Sequence, residues 1–273
     1  MKFTIASDEN LPIHGVLHLP PSPRALVVMV HGFKGFKDWN FFPWLAEDLE
    51  RNGYAVCRFD MSRSGIGEQS DWFEHLDLFA DDTYTTQLAD LRKVLELLDA
   101  DERLHDLPIV LFGHSRGGAI AILGAALTRR LGALVTWSSI ANCDRWDDAT
   151  KEMWRRVGHM EILNQRTKQV MGLSTKILDD FDEHRYDVTA AMRAIDVPML
   201  IVHGTADETV PSIEAEELTS EARNAHVVLI DGGTHTYGAA HPLVTIPRAL
   251  REAADATLAF LARLERNNPP AQP

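Results

Sequence analysis

Two kinds of apolar patterning alternate along this chain. Short, nearly unbroken apolar runs recur as ALVVMV (25–30), YAVCRF (54–59), PIVLFG (108–113), ALVTW (133–137), PMLIV (198–202) and HVVLI (226–230). Their length and β-branched content predict strands, several of them buried on both faces. Between them apolar residues return every three to four positions. That spacing predicts helices in FFPWLAEDLERNG, closing on Gly53, from about 83 to 98, in RGGAIAILGAALTRR, and from about 213 to 222 and 246 to 265. Residues 3–7 and 13–19 alternate more loosely and predict an antiparallel hairpin turning at Asp8, Glu9 and Asn10.

Alternation of buried strands with helices predicts a parallel sheet, right-handed crossovers and helices on both faces. One stretch breaks the rhythm. From about Cys143 to Ile195 no buried parallel strand is evident, and short helical patterns carry Trp146, Trp154, Met160, Met171, Phe181 and Tyr186. We read it as a small helical cap inserted over the sheet, with those side chains forming its own small core and one or two of them reaching into the pocket. The chain then divides into a core of 1–142 and 196–266, a cap of 143–195 and a flexible tail of 267–273.

Composition narrows the function. With 27 basic against 40 acidic residues the net charge is −13, which disfavours nucleic acid and anionic membranes as partners. No apolar run approaches the length of a membrane span, and the first ten residues lack a signal-peptide core. Cys57 and Cys143 form no metal-binding pair, and Cys57 reads as a buried hydrophobe. The expected setting is the cytoplasm.

The chemistry gathers where strands end, since ligands of an open parallel sheet bind beyond the carboxyl ends of its strands. His31, Gly32 and Phe33 follow the first long run, and Ser115 follows the third within G-x-S-x-G. Asp207 follows PMLIV, and His235 follows HVVLI. A serine hydroxyl needs a base to attack at neutral pH, histidine titrates in the right range, and a carboxylate fixes its tautomer. Main-chain amides of Arg116, opening a helix, and of Phe33 are placed to form an oxyanion hole.

Other residues compete for these roles. His241 is the alternative base, placed by preference at the entry to the last helix, and Glu208 the alternative acid. Asp231 reads as a turn residue, and His31, His114 and His203 as holders of loops. His14 and His18 share a strand face, but no third metal ligand is apparent. Lys34 and Lys37 lie where they could attract an acidic substrate but read by preference as solvated surface lysines, and Arg116, which could face a charged substrate, reads by preference as one half of a structural ion pair.

HGFKGFKDW (31–39), FDMSRSGIGEQS (59–70), GHSRGG (113–118), HGTADETVP (203–211) and GGTHTY (232–237) occur in this order. As a set they resemble the α/β-hydrolases, in the branch of cinnamoyl/feruloyl esterases and dienelactone-hydrolase-like enzymes, from about Phe3 to Leu264. The resemblance implies a mostly parallel eight-stranded sheet with an antiparallel N-terminal hairpin. It implies Ser115 as nucleophile, Asp207 as acid, His235 as base, and Phe33 and Arg116 as oxyanion donors. It implies no metal and no cofactor, with a small-molecule ester as substrate. Where relatives often have Arg-Gly this chain has Ser64-Gly65. Thioester, amide or perhydrolytic chemistry on the same residues stays open, as do a non-catalytic ligand-binding role and homodimerisation.

Overall fold

The computed structural model describes residues 1–68 and 70–267. Strands β1 (Lys2–Ala6) and β2 (Pro12–His18) pair antiparallel, and Asn10 takes a positive φ of 59° in the turn between them. Strand β3 (Leu26–Val30) is buried at every position. Helix α1 (Phe42–Arg51) carries proline in its first turn, where a missing N–H costs nothing. It leads through Gly53 into β4 (Ala55–Phe59). A short helix α2 (Leu76–Ala80) precedes α3 (Tyr84–Asp99), which Thr83 and Thr86 cap reciprocally.

Strand β5 (Ile109–His114), helix α4 (Arg116–Leu123) and strand β6 (Leu131–Trp137) follow. The interposed segment then holds α5 (Asp148–Val157), β7 (His159–Leu163), β8 (Val170–Ser174), α6 (Lys176–His184) and α7 (Val188–Ala194). Strand β9 (Met199–Gly204), helix α8 (Ile213–Glu221), strand β10 (Ala225–Ile230) and helix α9 (Arg248–Asn267) complete the described chain. Of the expected tail, Asn267 closes α9 and residues 268–273 lie outside the described residues.

The sheet has eight strands in the order β1-β2-β4-β3-β5-β6-β9-β10. From β4 to β10 every neighbouring pair is parallel, and β2 joins β4 antiparallel. The two-residue period of each strand sorts its side chains between two apolar layers. Leu26, Val28 and Val30 pack with Leu91, Ile120 and Leu218 of α3, α4 and α8. Val27 and Met29 point the other way, toward Phe42 and Leu45 of α1 and Leu250 and Phe260 of α9.

The segment between β6 and β9 is not purely helical, as expected from the sequence, because β7 and β8 form an antiparallel hairpin. Its strands are short and alternate between exposed and covered positions, with His159 and Glu161 facing out, so no continuous apolar run announced them. Nor does the segment keep a core of its own. Trp154, Met171, Leu173 and Ile177 are buried in the same apolar cluster as the sheet side chains. Trp146 meets Trp154 edge-on with ring centres 5.1 Å apart, and the Trp154 indole donates to the Leu173 carbonyl at 3.0 Å.

Candidate active site

Ser115 sits between β5 and α4 with φ 58° and ψ −125°, a backbone region that costs a non-glycine residue on the order of 1–3 kcal/mol. The surroundings over-determine that conformation. Its N–H donates to the Trp137 carbonyl at 3.0 Å, and its carbonyl accepts from Gly118 at 2.9 Å. The flanking glycines are required by close approach. A Cβ on Gly113 would stand 2.1 Å from the Gly117 carbonyl oxygen, and one on Gly117 would stand 2.3 Å from that of Val30. Among the described residues no side chain hydrogen-bonds to the Ser115 hydroxyl.

Asp207 and His235 come from the loops after β9 and β10, which are adjacent strands. His235 Nδ1 donates to Asp207 Oδ2 at 2.8 Å, while the N–H groups of Thr209 and Val210 donate to Asp207 Oδ1 at 2.9 Å each. Burial works against ionising Asp207, but the His203 ring, whose Nε2 lies 3.5 Å away, and the hydrogen bond from His235 outweigh it and hold the carboxyl far below its usual range. The bond to Nδ1 leaves Nε2 as the free ring nitrogen. The Asp207 side chain is fully covered, whereas 18% of the His235 side chain stays exposed, so the pair presents its histidine and hides its charge.

Three further histidines hold the loops that carry these groups. His114 Nε2 donates to the His235 carbonyl at 2.9 Å; burial and the neighbouring His235 push its pKa down to about 3, which keeps it neutral. His203 Nε2 donates to the Val210 carbonyl at 2.8 Å in the Asp207 loop. His31 Nε2 accepts from the Met61 N–H at 3.1 Å, which puts its proton on Nδ1 facing the Gly32 carbonyl at 3.0 Å.

His241 is engaged elsewhere. Its Nδ1 accepts from the Asn40 N–H at 2.8 Å and its Nε2 meets Asp71 at 2.9 Å. Among the described residues Glu208 makes no hydrogen bond or ion pair with His235, and Asp231 lies in a turn. His14 Nδ1 pairs with Thr4 and His18 Nδ1 with Glu50, and among the described residues neither belongs to a group of three side chains that could hold a metal.

A cavity of about 470 Å³ opens over these groups. Ser115 and His235 line it together with Gly32, Phe33, Arg116 and Ile140 from the core. Among the described residues the Phe33 and Arg116 amides have no hydrogen-bond acceptor of their own. The Arg116 guanidinium turns away from its amide and lies under the Phe33 ring at 4.2 Å, beside Tyr84 at 5.1 Å and 3.8 Å from Asp82. The structural ion pair expected for it is there, with a carboxylate from the loop before α3.

Trp146 is one of the cap aromatics of which one or two were expected to reach the pocket, and it lines the cavity, whereas Trp39, Arg145, Asn164, Gln165 and Arg166 were not expected there. Residues 164–166 lie in the β7–β8 turn, where only the tertiary fold shows what they face. The two lysines also differ from expectation. Lys37 is buried between Asp38 at 2.9 Å and Asp60 at 3.0 Å, and Lys34 lines the cavity.

Residues 21–150 match the family described as serine aminopeptidase, S33, and residues 182–245 match the family described as TAP-like protein. A 2,6-dihydropseudooxynicotine hydrolase of Paenarthrobacter nicotinovorans is 29% identical over 213 residues, 73% of this chain and 49% of that protein. A proline iminopeptidase of Lactobacillus helveticus is 27% identical over 146 residues, 53% of this chain and 45% of that one. The chain thus spans about half the length of the curated relatives it matches. The ferulic-acid-bound structure of Est1E from Butyrivibrio proteoclasticus superposes with a TM-score of 0.74 at 24% identity, over 97% of this chain and 99% of that one.

Proposed function

We propose that this chain, an α/β-hydrolase, cleaves a small carboxylic ester through an acyl-enzyme formed on Ser115. The observation that carries the reading is the Asp207–His235 pair, bonded at 2.8 Å, in loops that bring His235 to the cavity where Ser115 sits on its strained turn. In this reading His235 Nε2 takes the Ser115 proton as Oγ bonds to the carbonyl carbon. The oxygen of the tetrahedral intermediate gathers negative charge against the Phe33 and Arg116 amides and the α4 N-terminus. His235 then protonates the leaving alcohol as its bond to carbon breaks. Water, deprotonated by the same histidine, attacks the acyl-enzyme; the Ser115–carbonyl bond breaks, the proton returns to Oγ and the acid departs. Asp207 stays ionised throughout and stabilises the imidazolium.

Residues 143–195 act in this reading as the cap. Arg145, Trp146, Asn164, Gln165 and Arg166 contribute to the lining, so the segment chooses the substrate while the core performs the chemistry. Amide cleavage is the second reading, favoured by the match of residues 21–150 to a family described as an aminopeptidase. A fluorophosphonate probe tests the common premise. It should label Ser115 in the folded protein and leave Ser115→Ala unlabelled; an unlabelled native protein sinks both readings. Turnover of matched ester and anilide substrates separates one from the other.

A further inference from the structure

The chain carries 40 acidic residues against 27 basic ones, yet among the described residues the cavity over Ser115 is lined by Lys34, Arg116, Arg145 and Arg166 and by no aspartate or glutamate. Two of these cations are already neutralised. Arg145 meets both oxygens of Glu214 at 2.8 Å, and Arg116 faces Asp82. The other two are not. Neither Lys34 nor Arg166 makes an ion pair with a described residue, and Arg166 Nη2 is buried without a hydrogen-bond partner. The guanidinium of Arg166 instead rests near the faces of Phe36 at 5.5 Å and Phe73 at 5.9 Å. The carboxylate that acts on it electrostatically, Asp71, is bonded to His241.

A cation partly withdrawn from water without a counter-charge is less favourable than a fully solvated one, and an incoming anion relieves that cost. Both groups, which are partly buried, show it. Burial, and for Lys34 also the nearby Arg116, pushes their pKa values below the usual range. We propose that the substrate carries an ionised carboxylate away from the bond that is cleaved, and that Lys34 of the core and Arg166 of the β7–β8 turn bind it. The cavity then recognises a half-ester of a dicarboxylic acid, or an ester whose alcohol part bears an acid. Lys34 follows Phe33 in the loop after β3, whereas Arg166 belongs to the inserted segment, so the anion bridges the two parts of the cavity lining.

The inference rests on Ser115 as the attacking group, and the test separates the two claims. In the native protein, kcat/KM is compared for 4-nitrophenyl hydrogen glutarate and the uncharged 4-nitrophenyl pentanoate. In Ser115→Ala, binding of monoethyl glutarate is compared with that of diethyl glutarate by calorimetry at low and high salt. We expect the charged ester to be preferred by about tenfold or more, as charge-assisted hydrogen bonds require. Lys34→Gln and Arg166→Gln should each lower that ratio, and Arg166→Lys should restore part of it. The monoester should bind Ser115→Ala more tightly than the diester, with the advantage shrinking in high salt.

A ratio at or below one in the native protein, or one that both glutamine variants leave unmoved, overturns the carboxylate site while the hydrolase stands. Selective monoester binding without turnover of either ester supports the site and removes the hydrolase. Inorganic phosphate displacing the monoester more strongly than glutarate does reassigns the pair of cations to a phosphoryl group and overturns the carboxylate.

Discussion

Asp207, bonded behind the cavity-lining His235, and the cavity-lining cations Lys34 and Arg166 are treated in opposite ways. The carboxylate is wholly covered and receives hydrogen bonds from Thr209, Val210 and His235. The two cations line the opening and meet no counter-ion among the described residues. A charge whose partners are built into the fold is fixed before substrate arrives, which suits a group that orients a base. On the proposed function, the charges left without partners receive the substrate's own charge, and the difference separates a part of the site that transforms from a part that selects.

Mutations should reproduce that separation. Ser115→Ala and His235→Ala strike the transforming part and should lower kcat by about 10⁶-fold, measured with any ester the native protein turns over. His241→Ala, whose ring holds Asn40 and Asp71, should leave most of the activity; the reverse ranking would transfer the base to His241. Asp207→Asn keeps the shape but loses the charge and the fixed tautomer, and should cost about 10⁴-fold in kcat. Lys34→Gln combined with Arg166→Gln acts on the selecting part. Its signature is a fall of about tenfold or more in the preference for a charged over a neutral ester, read as the ratio of their kcat/KM values.

The smallest effect concerns a carboxylate that is buried like Asp207 but poorly supplied with donors. Asp90 accepts from the Ser62 N–H at 2.7 Å, and burial pushes its pKa from 3.8 up to about 7. Asp82 behaves similarly, raised by burial to about 6 against the pull of Arg116. Because the folded state holds protons that the unfolded chain releases near pH 3.8, stability from these groups is full below that pH and is lost as pH rises through about 6 to 7. Asp90→Asn should therefore raise the melting temperature at about pH 8, by about 2–4 °C per kcal/mol gained, and change it little at about pH 4. A variant that is destabilised equally at both values would show that the Ser62 contact, not the proton, dominates.

Much of the architecture was legible along the chain because a strand buried on both faces leaves a run that few other structures require. β3, β4, β5, β6 and β9 were each readable as such runs, and α4 was marked by the glycines around Ser115. The residues proposed for catalysis were legible for a related reason. Each follows a strand end, and the parallel sheet order brings those ends to one edge. The hairpin β7–β8 was not legible, since β7 places Glu161 on its open face, β8 is interrupted by Gly172, and five-residue strands of this kind resemble fragments of amphipathic helix.

The sequence by itself determined the alternation of elements, the turn that exposes Ser115 and the identity of the residues that could serve it, because steric and hydrogen-bond demands at those points act over a few neighbouring residues. Only the tertiary structure decided between His235 and His241 as the partner of Asp207, placed Lys37 between two carboxylates, and left Lys34 and Arg166 without one among the described residues. Those outcomes depend on which charges distant segments bring together and how much water they exclude. Neither quantity is written in local spacing.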